Sequence, residues 1–210
     1  MILFVLGIVA CCLFGDIVHR FGAPAEISRK SVHVSTCLLI AAFPLFGIDH
    51  HQLLLIAVGS FIALALLRRT VLMRSVMSVE RTSYGDLLLP LSVAAVAAIG
   101  FSYPAFLAAY LVLCISDTLA SLIGTAYGRR RYTLLNHSKS YLGSTAFFLS
   151  ALAILWPTAQ FAGLPPMTAL LTGVAVGAAL TLVEAASHKG VDNFFVPVVA
   201  VISLQPLLPT

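Results

Sequence analysis

Eight apolar runs, separated by short polar joints, constrain the fold of this chain more than any other feature of its sequence. A helix needs about 20 apolar residues to cross the hydrocarbon core of a bilayer, and tilt or polar flanks accommodate shorter runs. The pattern predicts an all-α polytopic membrane bundle with about eight transmembrane helices, or seven if the first or last run lies at the interface. The runs lie at about 2–18, 34–48, 52–67, 87–101, 104–126, 142–163, 166–187 and 194–208.

Charged residues are scarce in this chain. It has only 12 Lys+Arg and 8 Asp+Glu in 210 residues, and its mean hydropathy is +1.03. Soluble domains carry charge on about a quarter of their residues, so this composition excludes a soluble globular domain. The basic residues lie in short joints and form no stripe, which excludes a DNA-binding domain. We therefore predict a single integral membrane domain over residues 1–210.

The few charges are distributed unevenly between the two sides of the predicted bundle. All 12 basic residues fall in alternate joints, which the positive-inside rule places in the cytoplasm, with the N-terminus and the C-terminus outside. The basic residues are Arg20, Arg29, Lys30, Arg68, Arg69, Arg74, Arg81, Arg129, Arg130, Arg131, Lys139 and Lys189. The acids on or near the same side are Asp16, Glu26, Glu80, Asp86, Asp117, Glu184 and Asp192, whereas Asp49 lies outside. A polar reaction face on the cytoplasmic side is therefore expected.

The first polar segment on that side precedes the second apolar run. Glu26, Arg29, Lys30 and His33 follow an i, i+3, i+4, i+7 spacing, which places them on one face of a helix. Arg and Lys also snorkel from ordinary helix ends. His33 lies about one turn deeper than Lys30, which snorkelling does not explain.

The second segment is centred on Asp117, which follows a dozen largely apolar residues in its own run. A carboxylate within a span costs at least about 2.5–3.5 kcal/mol on insertion scales, so it is expected to face a polar interior and to have a function. Ser121, Gly124 and Gly128 share its helix face. The two glycines fit either a GxxxG helix contact or the close approach of a phosphate or a base to the backbone.

The third segment contains Ser138, Lys139, Ser140 and Gly143 at the start of the sixth run. Free N–H groups, the positive end of a helix dipole and a lysine make a suitable phosphate cradle. A serine N-cap followed by a positive-inside lysine is the alternative explanation. The segment is not a P-loop, because GxxxxGK[ST] occurs nowhere in the chain.

The fourth segment links the seventh and eighth runs. Gly190 suits the end of a helix, and Asp192 or Asn193 suits the start of the next one. Capping does not explain Glu184, which lies about one turn inside an otherwise apolar helix.

Together, the four segments resemble those of the polyprenol (dolichol) kinase, phytol kinase and CTP-dependent diacylglycerol kinase family. The matches occur in the family's order and cover about 29–197, and four ordered motifs are far more specific than one. They are Arg29-Lys30-Ser-Val-His33, Asp117-Thr-Leu-Ala120-Ser-Leu-Ile-Gly124-Thr-Ala-Tyr-Gly128, Lys139-Ser140-Tyr-Leu-Gly143-Ser144, then Glu184 and Gly190-Val-Asp192-Asn193-Phe-Phe-Val-Pro197.

The resemblance implies a kinase that transfers the γ-phosphoryl group of CTP, or of another nucleoside triphosphate, to a polyprenol, a phytol-like isoprenoid alcohol or diacylglycerol, with Mg²⁺. It implies a catalytic region spread over 26–33, 117–144 and 184–197. The implied catalytic residues are Asp117, Lys139 and His33. The implied nucleotide or phosphate ligands are Arg29, Lys30, Gly124, Gly128, Ser138, Ser140, Gly143 and Asn193. The implied metal ligands are Asp117 with Asp192 or Glu184.

We expect this enzyme to lie in the inner (plasma) membrane of a prokaryote, with its active site on the cytoplasmic side and the alcohol entering laterally between helices. No nucleic-acid or protein partner is indicated, and the sequence is compatible with a monomer or a homo-oligomer. One alternative is a cytidylyltransferase similar to CDP-diacylglycerol synthase, although its Lys-Asp and Gly-His-Gly-Gly-x-x-Asp-Arg-x-x-Asp signatures do not occur here. The other is a small ion- or proton-coupled transporter, but few polar residues beyond Asp49, His50 and His51 continue toward the outer side.

Overall fold

The computed structural model describes residues 1–67, 83–135 and 137–208. Their elements are α1 (Ile2–Arg20), α2 (Ala25–Ala41), a 3₁₀ helix (Phe43–Phe46), α3 (His50–Leu67), α4 (Gly85–Ile99), α5 (Tyr103–Leu111), a π-helical turn (Val112–Ser116), α6 (Asp117–Tyr127), β1 (Arg131–Leu134), β2 (His137–Ser140), α7 (Tyr141–Phe161), α8 (Pro166–Ala186) and α9 (Asp192–Leu204). The residues that we predicted in the joint after the third run, Arg68, Arg69, Arg74, Glu80 and Arg81, lie outside the described residues.

These elements confirm the predicted class, an all-α membrane helical bundle. α5, the π turn and α6 form one continuous rod, so the eight apolar runs correspond to eight helical rods in the described part of the chain. The rods long and apolar enough to cross a membrane are Ile2–Arg20, Tyr103–Tyr127, Tyr141–Phe161 and Pro166–Ala186, and shorter apolar helices are His50–Leu66, Gly85–Ile99 and Asp192–Leu204. The number of spans and the side on which each terminus lies stay predictions.

The outer surface of the bundle is apolar, as expected where lipid is the solvent. Leu55 on α3, Leu171 and Leu182 on α8, and Phe161 at the end of α7 are all largely exposed. Soluble monomers do not expose such large apolar side chains in continuous bands. The bilayer is therefore the environment that satisfies this surface.

The rod Tyr103–Tyr127 forms the centre of the bundle and packs against α2, α7 and α9. Alanines on α5 are fully buried and permit close helix approach, and Phe106 stacks on Phe101 with a centroid distance of 4.4 Å. The buried hydroxyl groups of Tyr110 and Ser92 share a hydrogen bond of 3.2 Å. This rod positions Asp117 deep within the assembly.

Two polar connections close one end of the bundle. β1 and β2 form an antiparallel hairpin between α6 and α7, in a joint where we predicted no strand. Between α8 and α9, Lys189 and Gly190 adopt left-handed conformations with φ of 51° and 87°. The Lys189 carbonyl accepts a 2.8 Å hydrogen bond from Tyr84 N, which ties the start of α4 to this turn.

The turn between α8 and α9 differs from the predicted capping arrangement. α8 already ends at Ala186, so Gly190 lies within the turn rather than at the helix end. α9 has Val191 in its N-cap position and begins at Asp192. A β-carbon on Gly190 would lie 2.6 Å from Gly85 Cα, so the close packing of α4 on this turn, together with the positive φ, requires glycine.

Candidate functional site

A buried ion pair joins α2 to the first turn of α6. The Lys30 ammonium group donates to Asp117 Oδ2, and the two residues are 5% and 6% exposed. His33 lies one turn after Lys30 on α2, and its Nε2 is 3.7 Å from the same carboxylate oxygen. The predicted helical spacing is therefore what directs Lys30 and His33 toward Asp117.

The π turn directly precedes Asp117 and contacts His33. His33 Nε2 lies 3.3 Å from the Leu113 carbonyl oxygen. Because a carbonyl oxygen only accepts, Nε2 is the donor, and in a neutral ring Nδ1 is then the acceptor nitrogen. Single π turns occur frequently at functional sites. Sequence reasoning missed this turn, since Val-Leu-Cys-Ile-Ser contains no residue type that signals it.

Two buried hydroxyl groups flank Asp117. Ser116 Oγ and Thr118 Oγ1 have no hydrogen-bond partner among the described residues. Buried polar atoms without a partner are rare in folded proteins and need a reason. Successive residues of a helix do not face each other, so the two hydroxyl groups are separate unpartnered positions on either side of Asp117 in the sequence.

A second ion pair joins the hairpin to α8. The Lys139 ammonium group on β2 donates to Glu184 Oε1. Burial alone would lower the pKa of Lys139, but the Glu184 carboxylate outweighs it and raises that pKa above its ordinary value, so Lys139 stays a cation. Glu184 is 4% exposed, and within the described part of the chain its second oxygen, Oε2, has no hydrogen-bond partner.

Electrostatic interactions connect the two ion pairs into one site. Asp192, the first residue of α9, interacts with both lysines and with both of their carboxylates. Arg29 on α2 interacts with Asp117 and Asp192. We call this set the charge cluster: Arg29, Lys30, His33, Asp117, Lys139, Glu184 and Asp192. The structure thus brings together residues from all four predicted segments.

Arg29 lies at the rim of the charge cluster. Its guanidinium group binds Glu26 through two hydrogen bonds of 2.7 and 3.1 Å, and about a third of its side chain is exposed. Ser121 Oγ donates to Glu26 at 3.5 Å, which links this rim pair to α6. An exposed pair of this kind is weak and can open to admit an anion.

Three predicted nucleotide-binding glycines lie where α6 and α7 cross. A β-carbon on Gly124 would lie 2.8 Å from Ser140 Oγ, and one on Gly143 would lie 2.9 Å from the Ala120 carbonyl. A β-carbon on Gly128 would also meet Ser140. The helix-contact explanation that the sequence left open for Gly124 and Gly128 therefore accounts for them, and Gly143 is equally closely packed. A nucleotide contact for the three glycines stays a prediction.

The remaining predicted phosphate ligands have other surroundings. Ser140 Oγ accepts from Gly143 N at 3.0 Å and is the N-cap of α7. Ser138 alternates with Lys139 along β2 and is exposed, so its side chain points away from the charge cluster. Asn193 uses its amide to donate to the Gly85 carbonyl at 2.9 Å. Direct binding of phosphate by these three residues stays a prediction.

The carboxylates do not form a complete metal cage. Among the described residues, no three His, Cys, Asp or Glu side chains are grouped closely enough to hold a metal ion. Mg²⁺ in phosphotransfer sites is commonly held by only one or two carboxylates together with substrate phosphates and water. The unpartnered Glu184 Oε2 and the nearby Asp192 fit that mode of binding.

Comparison with known proteins adds an independent line of support. No protein-family model matches the chain, and no solved structure matches it. A curated protein named phytol kinase, from Synechocystis sp., is 28% identical over 192 residues, which cover 90% of this chain and 82% of that protein. This similarity along almost the whole chain, in agreement with the four ordered motifs, supports the assignment of the chain to the phytol and polyprenol kinase family.

Proposed function

We propose that the protein is a membrane lipid-alcohol kinase that transfers the γ-phosphoryl group of a nucleoside triphosphate, foremost CTP, to the hydroxyl of an isoprenoid alcohol of the phytol type. The observation that carries this proposal is the charge cluster, in which two lysine–carboxylate pairs from distant segments converge inside an apolar bundle. The similarity to phytol kinase supports the same class of reaction.

The charge cluster has the groups that phosphoryl transfer needs. The reaction depends on positioning and on neutralising phosphate oxygens rather than on covalent participation of the protein. Lys30 and Lys139 each have a carboxylate as their partner. In the proposed complex, both ammonium groups donate to phosphate oxygens instead, and Arg29 opens from Glu26 to bind the outer part of the triphosphate.

The exchange releases Glu184 from Lys139, so that Glu184 can join Asp192 as a proposed metal ligand. Glu184 and Asp192 would hold Mg²⁺, which when bound neutralises charge on the triphosphate oxygens. Glu184 is the stronger candidate, because one of its oxygens is already buried without a partner among the described residues. Because each lysine exchanges one anionic partner for another, neither ammonium group is left buried without a counter-charge.

Asp117 is the proposed proton acceptor for the lipid hydroxyl. Once Lys30 donates to phosphate, the carboxylate of Asp117 is free to orient the alcohol and accept its proton. The alcohol oxygen forms a bond to the γ-phosphorus, the bond from that phosphorus to the β,γ-bridging oxygen breaks, and the nucleoside diphosphate leaves with that electron pair. His33 remains bound to Leu113 and keeps α2 in register with the π turn.

The experiment that tests this function offers lipid alcohols to membranes that contain the protein. Membranes are incubated with γ-labelled CTP or ATP, Mg²⁺ and one alcohol at a time: phytol, geranylgeraniol, undecaprenol, dolichol or diacylglycerol. We expect label in the lipid extract with at least one isoprenoid alcohol and with CTP as the better donor. Folded protein that labels none of the five lipids would refute the kinase proposal.

A further inference from the structure

The β1–β2 hairpin is attached to the bundle at its base and at its tip, on either side of Lys139. We propose that these two attachments are a clamp that positions Lys139 for nucleotide phosphate, with Tyr132 and His188 as positioning residues. This inference rests on the proposed function and adds to it a role for residues that touch no reacting atom.

Tyr132 forms the attachment at the base. Its hydroxyl shares a 2.6 Å hydrogen bond with Ser144 Oγ on α7, and its ring lies 4.9 Å from that of Tyr141, centroid to centroid. Tyr132 is also the cross-strand partner of Lys139. Directly opposed residues of an antiparallel pair lie on the same face, so fixing Tyr132 fixes the strand position from which Lys139 extends.

His137 and His188 form the attachment at the tip. Their rings stack with a centroid distance of 4.0 Å and an interplanar angle of 16°. His137 is two residues before Lys139 and therefore on the same face of β2. His188 follows the end of α8, four residues after Glu184. The stacked rings thus join β2 to the turn that follows α8, whereas the Lys139–Glu184 ion pair joins β2 to α8 itself.

The hairpin depends on these attachments because it is small. Each strand has four residues, and an isolated two-stranded hairpin is at best marginally stable in water. When Lys139 donates to phosphate instead of Glu184, the ion pair no longer holds β2 in place. The tyrosine and histidine contacts then maintain the position of Lys139. Loss of the clamp should weaken nucleotide binding and leave alcohol binding, proposed beside Asp117, unchanged.

The base attachment is tested with Tyr132→Phe, Ser144→Ala and the double variant. Tyr132→Phe keeps the ring contact and removes only the hydrogen bond. We expect each single variant to raise the KM for the nucleotide about two- to tenfold, with kcat and the KM for the alcohol within about twofold of the wild type. The KM of the double variant for the nucleotide should be no higher than that of either single variant, because all three lack the same hydrogen bond.

The tip attachment is tested with His188→Ala and the matched variant His188→Phe. Stacking requires a flat ring, so Phe should restore most of the nucleotide KM that Ala loses. A Phe variant as impaired as the Ala variant would show that the imidazole itself acts on the substrate and would overturn the positioning role.

A binding measurement separates this inference from the proposed function. The unfolding temperature of purified protein is recorded against CTP concentration, with and without Mg²⁺, for the wild type, Tyr132→Phe and His188→Ala. We expect CTP to raise the unfolding temperature of the wild type. The CTP concentration that gives half of the maximal rise should be severalfold higher in both variants. If CTP stabilises the wild-type protein but no lipid is labelled, the proposed kinase activity is refuted, whereas the clamp is still tested by the CTP response of the variants. Variants with unchanged CTP response, or with a selective rise in the alcohol KM, would refute the clamp.

Discussion

Lys30 on α2 and Asp117 on α6, 87 positions apart in the chain, form an ion pair that is almost completely buried. Such a pair is weak support for stability, because replacing both partners with apolar residues of similar volume is often neutral or stabilising. Removing only one partner leaves an uncompensated charge and costs about 3–5 kcal/mol. The role of the pair in stability can therefore be tested separately from its role in the reaction. Replacing both residues with apolar ones removes the charges without leaving an unpaired charge in the interior.

This separation gives the first prediction. We expect Asp117→Asn to lower turnover about 10²- to 10⁴-fold, the range typical of a lost acid–base group, and also to lower the unfolding temperature. The double variant Lys30→Met with Asp117→Leu should recover wild-type thermal stability and remain inactive. Label transfer and thermal unfolding of the same preparations check both effects. Activity in the double variant would exclude these residues from the chemistry.

Glu184 gives the second prediction, which concerns metal dependence. Glu184→Gln keeps the side-chain volume but removes the charge that a hard cation prefers. We expect the Mg²⁺ concentration for half-maximal activity to rise at least about tenfold, since even loss of an outer-shell partner of a metal ligand costs about 10- to 100-fold, with little change in the KM for the alcohol. Asp49→Asn is the control, because Asp49 lies in the turn before α3, where its carboxylate accepts from Gln52 N, and this change should leave the Mg²⁺ requirement unchanged. An unchanged requirement in Glu184→Gln would remove Glu184 from the metal site.

The third prediction distinguishes helix packing from nucleotide contact at Gly124. An alanine β-carbon there would lie 2.8 Å from Ser140 Oγ and 3.4 Å from Gly143 Cα. Overpacking of this kind typically costs about 1–3 kcal/mol, so Gly124→Ala should lower the unfolding temperature without nucleotide. Gly59→Ala, where no neighbouring atom lies within 4 Å, is the control that should remain as stable and active as the wild type. A normal unfolding temperature with a raised nucleotide KM would instead indicate direct nucleotide contact.

The fourth prediction concerns the pH dependence of the Lys139–Glu184 pair. The pKa of Lys139 is raised above its ordinary value of 10.5, so the folded protein binds this proton more tightly than the unfolded chain does. The resulting stabilisation is complete below the unfolded-state pKa and disappears as the pH rises through the folded-state pKa. The difference in unfolding temperature between wild type and Lys139→Met should therefore be constant from about pH 7 to pH 9 and shrink near pH 11.

A Lys139→Met difference that disappears already below about pH 9 would contradict the raised pKa. It would indicate that burial, which favours the neutral amine, outweighs the Glu184 carboxylate.

The helices could be predicted from the sequence because the bilayer allows few structures other than apolar helices. Runs at 104–126, 142–163 and 166–187 were predicted, and the corresponding rods lie at Tyr103–Tyr127, Tyr141–Phe161 and Pro166–Ala186. The predicted start of the sixth run is confirmed closely, since Ser140 is the N-cap of α7. A serine before an apolar run is a local signal that needs no tertiary context.

The pairing within the charge cluster could not be predicted in the same way. Buried charges in an apolar chain indicated that Lys30, Asp117, Lys139 and Glu184 belong to a site, because each is costly to bury alone. Which lysine meets which acid depends on how helices pack across separations of 87 and 45 positions. The hairpin escaped prediction because its four-residue strands are too short for a periodic signal.

The central claim is that the charge cluster transfers a γ-phosphoryl group to a lipid hydroxyl. Its most direct test supplies purified wild-type protein and Asp117→Asn with α-labelled or γ-labelled CTP and the preferred alcohol. We expect the wild type to transfer the γ label alone into the lipid, and Asp117→Asn to transfer neither label. Transfer of the α label with release of diphosphate, or equal transfer of the γ label by both proteins, would contradict the claim.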